Sequence, residues 1–381
     1  MSRVALVNAL LLDPEADAPA SGGLLVEAGR IVRSLGAAEP APDDARRIDL
    51  AGRALAPGFL DLHYHGELIL GAPERARALL DRVARELLQG GVTGFLPTTV
   101  AWPAEELMTR VTALAEACAS TPGGGAAALG LHLEGPWIAA DAAGAQPAAG
   151  SRDCSPAEAR QLLERAQGLV RMVTLAPELP GAAALLAELG RRGVVAALGH
   201  SQANAAQVEL AVTQGARHVT HLWNAMSGIH QRAPGLAGVA LSDDRLSCDL
   251  ICDGVHVDPL LVRLAARAKR EGLLLITDRV SAGTGFGAGA LLDDGTALRL
   301  PDGRLAGSRL TLDRAVRNAV SFAAMTQLEA VAAATLRPAR LLGLERERGT
   351  LRPGARADLV VLDAAGALAE TWLAGERVYA A

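Results

Sequence analysis

From about residue 53 onward the chain alternates short apolar runs with amphipathic stretches. The runs are Leu55–Leu62, Val92–Thr98, Ala127–Leu133, Arg171–Leu175, Val194–Leu198, Ala216–Thr220, Leu246–Ile251 and Leu273–Ile276. They are continuous rather than alternating, as expected of parallel strands buried on both faces. Ala/Leu/Arg/Glu-rich stretches with helical spacing, such as Pro73–Gln89 and Ser155–Gln167, separate most of them. Eight strand–helix units predict an α/β protein whose residues 53–348 close into a (β/α)8 barrel of the TIM type.

The two chain ends follow another pattern. Residues 1–52 predict short strands at Val4–Leu12, Gly23–Glu27, Arg30–Leu35 and Arg47–Leu50, with a turn at Ala28-Gly29 and a loop over Ala37–Ala45. Residues 349–381 predict a strand at Leu359–Leu362 and a turn at Ala374-Gly375. Neither end can bury a core alone. They are expected to pair in space as one small β-sandwich module beside the barrel.

Composition narrows the function. Half of the 381 residues are hydrophobic and only 3% are aromatic, so a large core must be built from Ala, Leu and Val. The net charge is −5 and no basic stripe is present, which argues against nucleic acid. An anionic substrate would have to be met by a local positive site. No run reaches the ~18 apolar residues of a membrane span, and Met1–Leu12 reads as a strand rather than a signal peptide. Cys118, Cys154, Cys248 and Cys252 form no CxxC pair and are read as buried free thiols, which fits a cytoplasmic enzyme.

The chemistry lies in where the polar residues fall. The first run ends in Asp61-Leu62-His63-Tyr64-His65-Gly66, the third at Glu134, the fifth at His200, the sixth at His221 and the eighth at Asp278. Residues two apart on a strand point the same way, so His63 and His65 can approach one metal. Barrel active sites sit at the C-terminal strand ends. Five apolar strands therefore deliver imidazoles or carboxylates to one rim. Four of the chain's eight histidines are in this set. Such donors suit zinc, iron, cobalt or manganese, with zinc the expected ion. The single lysine, Lys269, lies on no strand end, which excludes a carboxylated lysine bridging two metals. Glu134 is then the candidate bridging or central ligand.

Pro57-Gly58-Phe59-Leu60-Asp61-Leu62-His63-Tyr64-His65-Gly66 resembles the amidohydrolase first-strand motif. His132-Leu133-Glu134-Gly135-Pro136, Gly199-His200-Ser201, Thr220-His221-Leu222-Trp223-Asn224-Ala225-Met226, Asp253-Gly254-Val255-His256 and Leu305-Ala306-Gly307-Ser308 resemble motifs of the N-acetylglucosamine-6-phosphate deacetylase family. The likeness runs through nearly the whole chain in the family's order. It implies that Glu134, His200 and His221 hold the main divalent metal. It implies that His63 and His65 hold a second one where two ions bind, and that Asp278 is the catalytic acid/base. It also implies that Asn224, Ala225 and Arg232 contact the phosphate of an amino sugar phosphate, Arg232 reaching across a homodimer, and that His256 binds the sugar. Two positions depart from the pattern. Gln146 stands where the family has a histidine near the substrate's acetyl group, and Arg279 follows Asp278 in place of alanine.

Other residues receive blander readings. His218 is assigned to packing, His132 to either a supporting or a core role, Glu178 to a structural hydrogen bond, and Arg279 to either an anion contact or an outer salt bridge. His230 is unassigned. Two competing functions remain: an amidohydrolase acting on another amide, such as N-acetylgalactosamine-6-phosphate, an N-acyl amino acid or a nucleobase, and a non-catalytic scaffold.

Overall fold

The computed structural model describes residues 3–68, 72–119, 124–281 and 291–381. The barrel strands are Phe59–Gly66, Val92–Pro97, Leu131–Glu134, Val170–Leu175, Val195–Leu198, His218–Val219, Ser247–Ile251 and Leu273–Ile276. The third to the eighth form one parallel ladder. A bridge between Thr98 and His132 joins the second to the third. Arg279–Val280, just past the eighth, pairs in parallel with the first at Tyr64 and Gly66 and completes the ring. Nearly all strand residues are buried, because helices cover the outside and side chains fill the inside. The runs accordingly show no polar alternation.

Helices Ala76–Leu87, Ala104–Ala119, Pro156–Arg165, Ala182–Arg191, Ala205–Thr213, Gly235–Ser242, Pro259–Ala268 and Leu312–Ala323 follow the strands in order. Their starts are chemically marked. Ser155 accepts from the Glu158 backbone N–H, and Asn204 and Gln207 cap each other reciprocally.

Both chain ends enter one eight-stranded sheet, whose own apolar cluster includes Leu6, Leu24, Leu55, Leu359 and Trp372. The predicted run Leu55–Leu62 divides in two. Ala54–Pro57 pairs with Arg3–Leu11 and Leu359–Leu362 in this module, and the barrel strand begins at Phe59. The break falls at Gly58, where a Cβ would stand 2.3 Å from the Thr93 side chain. The Thr371 hydroxyl donates to the Leu88 carbonyl at 2.7 Å, tying module to barrel.

The four cysteines are buried with no disulfide between them. Lys269 is buried too, and its ammonium donates to the Asp243 carbonyl at 2.7 Å, away from the strand ends. Among the described residues no helix is long and apolar enough to cross a membrane.

Candidate metal centre and active site

The barrel mouth gathers the residues that the strand ends supply. His63 and His65 lie two apart on the first strand, and Glu134 closes the third. His200, His221 and Asp278 follow the fifth, sixth and eighth strands with φ of 49°, 31° and 47°. A non-glycine residue in this left-handed region costs roughly 1–3 kcal/mol, which the surrounding structure must offset. The chain leaves strand geometry at the points where these side chains have to face the mouth.

Glu134 is the hub. Its Oε1 lies 3.0 Å from Nε2 of both His200 and His221 and 3.4 Å from Nε2 of His63. Its Oε2 lies 3.2 Å from His65 Nε2. The two first-strand imidazoles approach each other at 3.2 Å between Nε2 atoms, and His200 and His221 at 3.1 Å. Asp278 Oδ1 stands 3.5 Å from His63 Nε2 and 3.3 Å from His65 Nε2. Two groups of three donors result, His63/His65/Glu134 and Glu134/His200/His221, with all donor atoms of each group within 4.8 Å of one another.

These residues fit a cation. The Nδ1 atoms of His65 and His200 lie 3.1 and 2.8 Å from the carbonyl oxygens of Thr98 and Ala142. Carbonyls only accept, so the neutral rings carry their proton on Nδ1 and turn an Nε2 lone pair inward. Facing lone pairs at this separation repel unless a proton or a cation lies between them. Burial disfavours charge on both His65 and His221, yet the neighbouring carboxylates outweigh it and raise them to about 10 and about 9. Burial likewise opposes charge on Glu134 and Asp278, but the imidazoles around them hold both below the usual carboxylate range. Buried imidazole nitrogen with carboxylate oxygen is a donor set for zinc, iron, cobalt or manganese.

Support lies one layer deeper. The Asp61 carboxyl accepts from the Thr277 N–H and hydroxyl and from the His63 N–H, while burial pushes it up to about 6. His132 pairs through Nε2 with the Thr174 hydroxyl at 2.8 Å, and Thr174 meets Thr220 at 2.7 Å. Burial holds the His132 imidazole well below its ordinary value, so it stays neutral beneath the cluster. It is a supporting residue with its ring 4.7 Å from that of His63.

A cavity of about 260 Å³ opens over this cluster, lined by His65, Glu134, Gln146, His200, His221, Asn224, Ala225, His256 and Asp278, together with Arg304 and Leu305. A larger cleft of about 740 Å³ between module and barrel, around Arg348 and Asp358, holds neither donor group. His256 Nδ1 meets Asp253 at 2.7 Å, and its Nε2 is buried with no hydrogen-bond partner. The Asn224 amide donates weakly to the His221 and Leu222 carbonyls, at 3.3 and 3.4 Å.

Two predicted positions lie elsewhere. Arg232 is exposed and does not line this cavity, and its N–H meets His230 Nδ1 at 3.3 Å. Arg279 pairs with Glu86 on the outer helix at 3.1 Å, so the salt-bridge reading holds for it. Glu178 accepts from the Ser201 hydroxyl and the Gln202 N–H, as a structural residue would.

Two residues escaped the sequence reading. Asp249, fully buried on the seventh strand, meets His218 Nε2 at 3.0 Å and accepts the His221 N–H. His218 is therefore half of a buried polar couple behind a candidate ligand, not a packing residue. A carboxylate inside the apolar run Leu246–Ile251 was the available signal. Arg304, at the cavity rim, donates to the Gly144 carbonyl, and nothing in its sequence context marked it.

The amidohydrolase family model matches residues 54–378. The chain belongs to the amidohydrolase family. It is 39% identical over 356 residues to the human N-acetylglucosamine-6-phosphate deacetylase, covering 89% of this chain and 86% of the relative. It is 36% identical over 348 residues to the N-acetylgalactosamine-6-phosphate deacetylase of Escherichia coli O157:H7, covering 90% and 92%. A solved N-acetyl-D-glucosamine-6-phosphate deacetylase of Mycobacterium smegmatis, a mutant in complex with N-acetyl-D-glucosamine-6-phosphate, superposes with a TM-score of 0.90 at 33% identity over 99% of this chain and 100% of that one. Members of the family use divalent metals, in keeping with the donor groups at the barrel mouth.

Proposed function

We propose that this amidohydrolase removes the acetyl group from N-acetyl amino sugar phosphates, with N-acetylglucosamine-6-phosphate its main substrate and glucosamine-6-phosphate and acetate its products. The observation that carries this reading is the convergence of four imidazoles on Glu134 beside Asp278, at the floor of a cavity of about 260 Å³. The deacetylases among its relatives support the substrate class.

Glu134, His200 and His221 hold the principal ion, and His63 and His65 a second, with zinc the proposed metal. When bound, a divalent cation acidifies water and polarises the amide carbonyl. Asp278 is the proton carrier. Its carboxyl keeps 14% of its side-chain surface open, enough to reach water. As water attacks the acetamide carbon, Asp278 takes a proton, and it returns that proton to the nitrogen as the C–N bond breaks. His256 binds a sugar hydroxyl through its unpartnered Nε2. Asn224 and the Ala225 backbone take the phosphate, joined by Arg232 from a second subunit of a homodimer, since Arg232 does not line its own cavity. Absence of disulfides among the buried cysteines agrees with a cytoplasmic setting.

The test is acetate release at defined metal loading from the 6-phosphates of N-acetylglucosamine and N-acetylgalactosamine, from the unphosphorylated sugars and from N-acetyl amino acids. Preference for N-acetylglucosamine-6-phosphate is expected. Preference for an N-acetyl amino acid would reject the substrate class.

A further inference from the structure

We propose that Gln146 is a positioning residue for Glu134, locking its carboxylate so that one oxygen serves His200 and His221 and the other serves His65. This rests on the metal-site reading above. Gln146 lies on a loop after the third strand and is 8% exposed. Its Oε1 accepts the Ala101 N–H at 2.8 Å. That contact decides which end of the carboxamide is which: Nε2 must face the other way, and it donates to Glu134 Oε2.

Glu134 needs such a lock. The last torsion of a glutamate side chain is broad and roughly two-fold, so an unrestrained carboxylate rocks or exchanges its oxygens. Here the two oxygens have different neighbours: Oε1 faces His200 and His221 at 3.0 Å and His63 at 3.4 Å, and Oε2 faces His65 at 3.2 Å. The Gln146 donor holds Oε2 on the His65 side with a neutral group that adds no charge and does not titrate. Its loop is itself held against the site. The Gln146 N–H donates to the Ala143 carbonyl at 2.9 Å, and Arg304 donates to the Gly144 carbonyl. A Cβ on Gly144 would lie 3.6 Å from His200 Cε1, so this loop packs directly on a candidate ligand.

The experiment measures Zn²⁺ affinity of the chelator-stripped full chain by competition with a chromophoric chelator, for the parent, Gln146→Met and Gln146→Ala. Both variants lose the donor to Glu134. The dissociation constant is expected to rise roughly 10–100-fold, the usual loss when a group supporting a metal ligand is removed. At saturating Zn²⁺, kcat should fall while KM for the sugar phosphate stays within about two-fold of the parent. Melting of the metal-free variants reports whether each is folded, and Gln146→Ala carries the test if Gln146→Met does not fold. Parent-like Zn²⁺ affinity in a folded variant, or a rise in KM alone, overturns the inference. Affinity is read without substrate, so failure of the deacetylase assignment would leave this result standing.

Discussion

Asp249 accepts the backbone N–H of His221 on one carboxylate oxygen and faces His218 Nε2 at 3.0 Å with the other. The couple is sealed from water, and it holds a candidate metal ligand whose backbone sits at φ 31°. Asp249→Ala would orphan the His221 N–H and the His218 Nε2 together, while His218 Nδ1 keeps Ser247. Each buried group left unpaired costs about 1–3 kcal/mol. A loss of about 2–6 kcal/mol by denaturant unfolding is expected, with weaker metal retention. A variant as stable as the parent would show that the couple holds nothing in place.

Asp278 is outside the Glu134/His200/His221 group but within 3.5 Å of both first-strand imidazoles. Asp278→Asn keeps shape and removes the proton carrier. Metal content by elemental analysis should match the parent, while kcat falls by roughly 10²–10⁴-fold, the usual range for a lost acid/base group. Retained turnover would reject its role.

Protons and cations compete for the same nitrogens. Burial works against charge on His65 and His221, but the carboxylates raise them to about 10 and about 9, above the ordinary imidazole value of 6.5. A pKa raised on folding stabilises the fold fully below the unfolded value, and that contribution is lost as pH rises through the folded value. The metal-free protein should therefore lose stability between about pH 7 and pH 10 relative to the metal-loaded form. Calorimetry of Zn²⁺ binding in buffers of different ionisation enthalpy should show proton release at about pH 7.5. Binding without proton release would contradict the protonated, metal-free site.

Arg232 does not line its own cavity, so its proposed phosphate contact depends on a second subunit. Arg232→Ala should raise KM for the 6-phosphate roughly 10–100-fold, the worth of a charge-assisted pair of hydrogen bonds, and leave weak turnover of the unphosphorylated sugar unchanged. Equal losses on both substrates would exclude a phosphate contact.

The barrel was legible because burial on both faces removes polar alternation, so each strand stood out as an apolar run, and the polar residue ending it marked the mouth. His63, His65, Glu134, His200, His221 and Asp278 could be placed on one rim for that reason. The split of Leu55–Leu62 was not legible, since one apolar run serves two sheets and the close approach of Thr93 to Gly58 at the break comes from a distant part of the chain. The roles of His218 and Gln146 were hidden for a different reason. Strand alternation turns His218 away from His221, and its link runs sideways through Asp249 of the next strand. Gln146 meets Glu134 across a loop whose path no local pattern predicts.

Stoichiometric titration of the chelator-stripped chain with Zn²⁺, followed by acetate release from N-acetylglucosamine-6-phosphate, tests the metal centre most directly. The account predicts no turnover without the ion, a rise that breaks at one or two equivalents, and no restoration in a folded His200→Ala/His221→Ala variant. Full activity in the metal-free chain, or undiminished restoration in that variant, would contradict it.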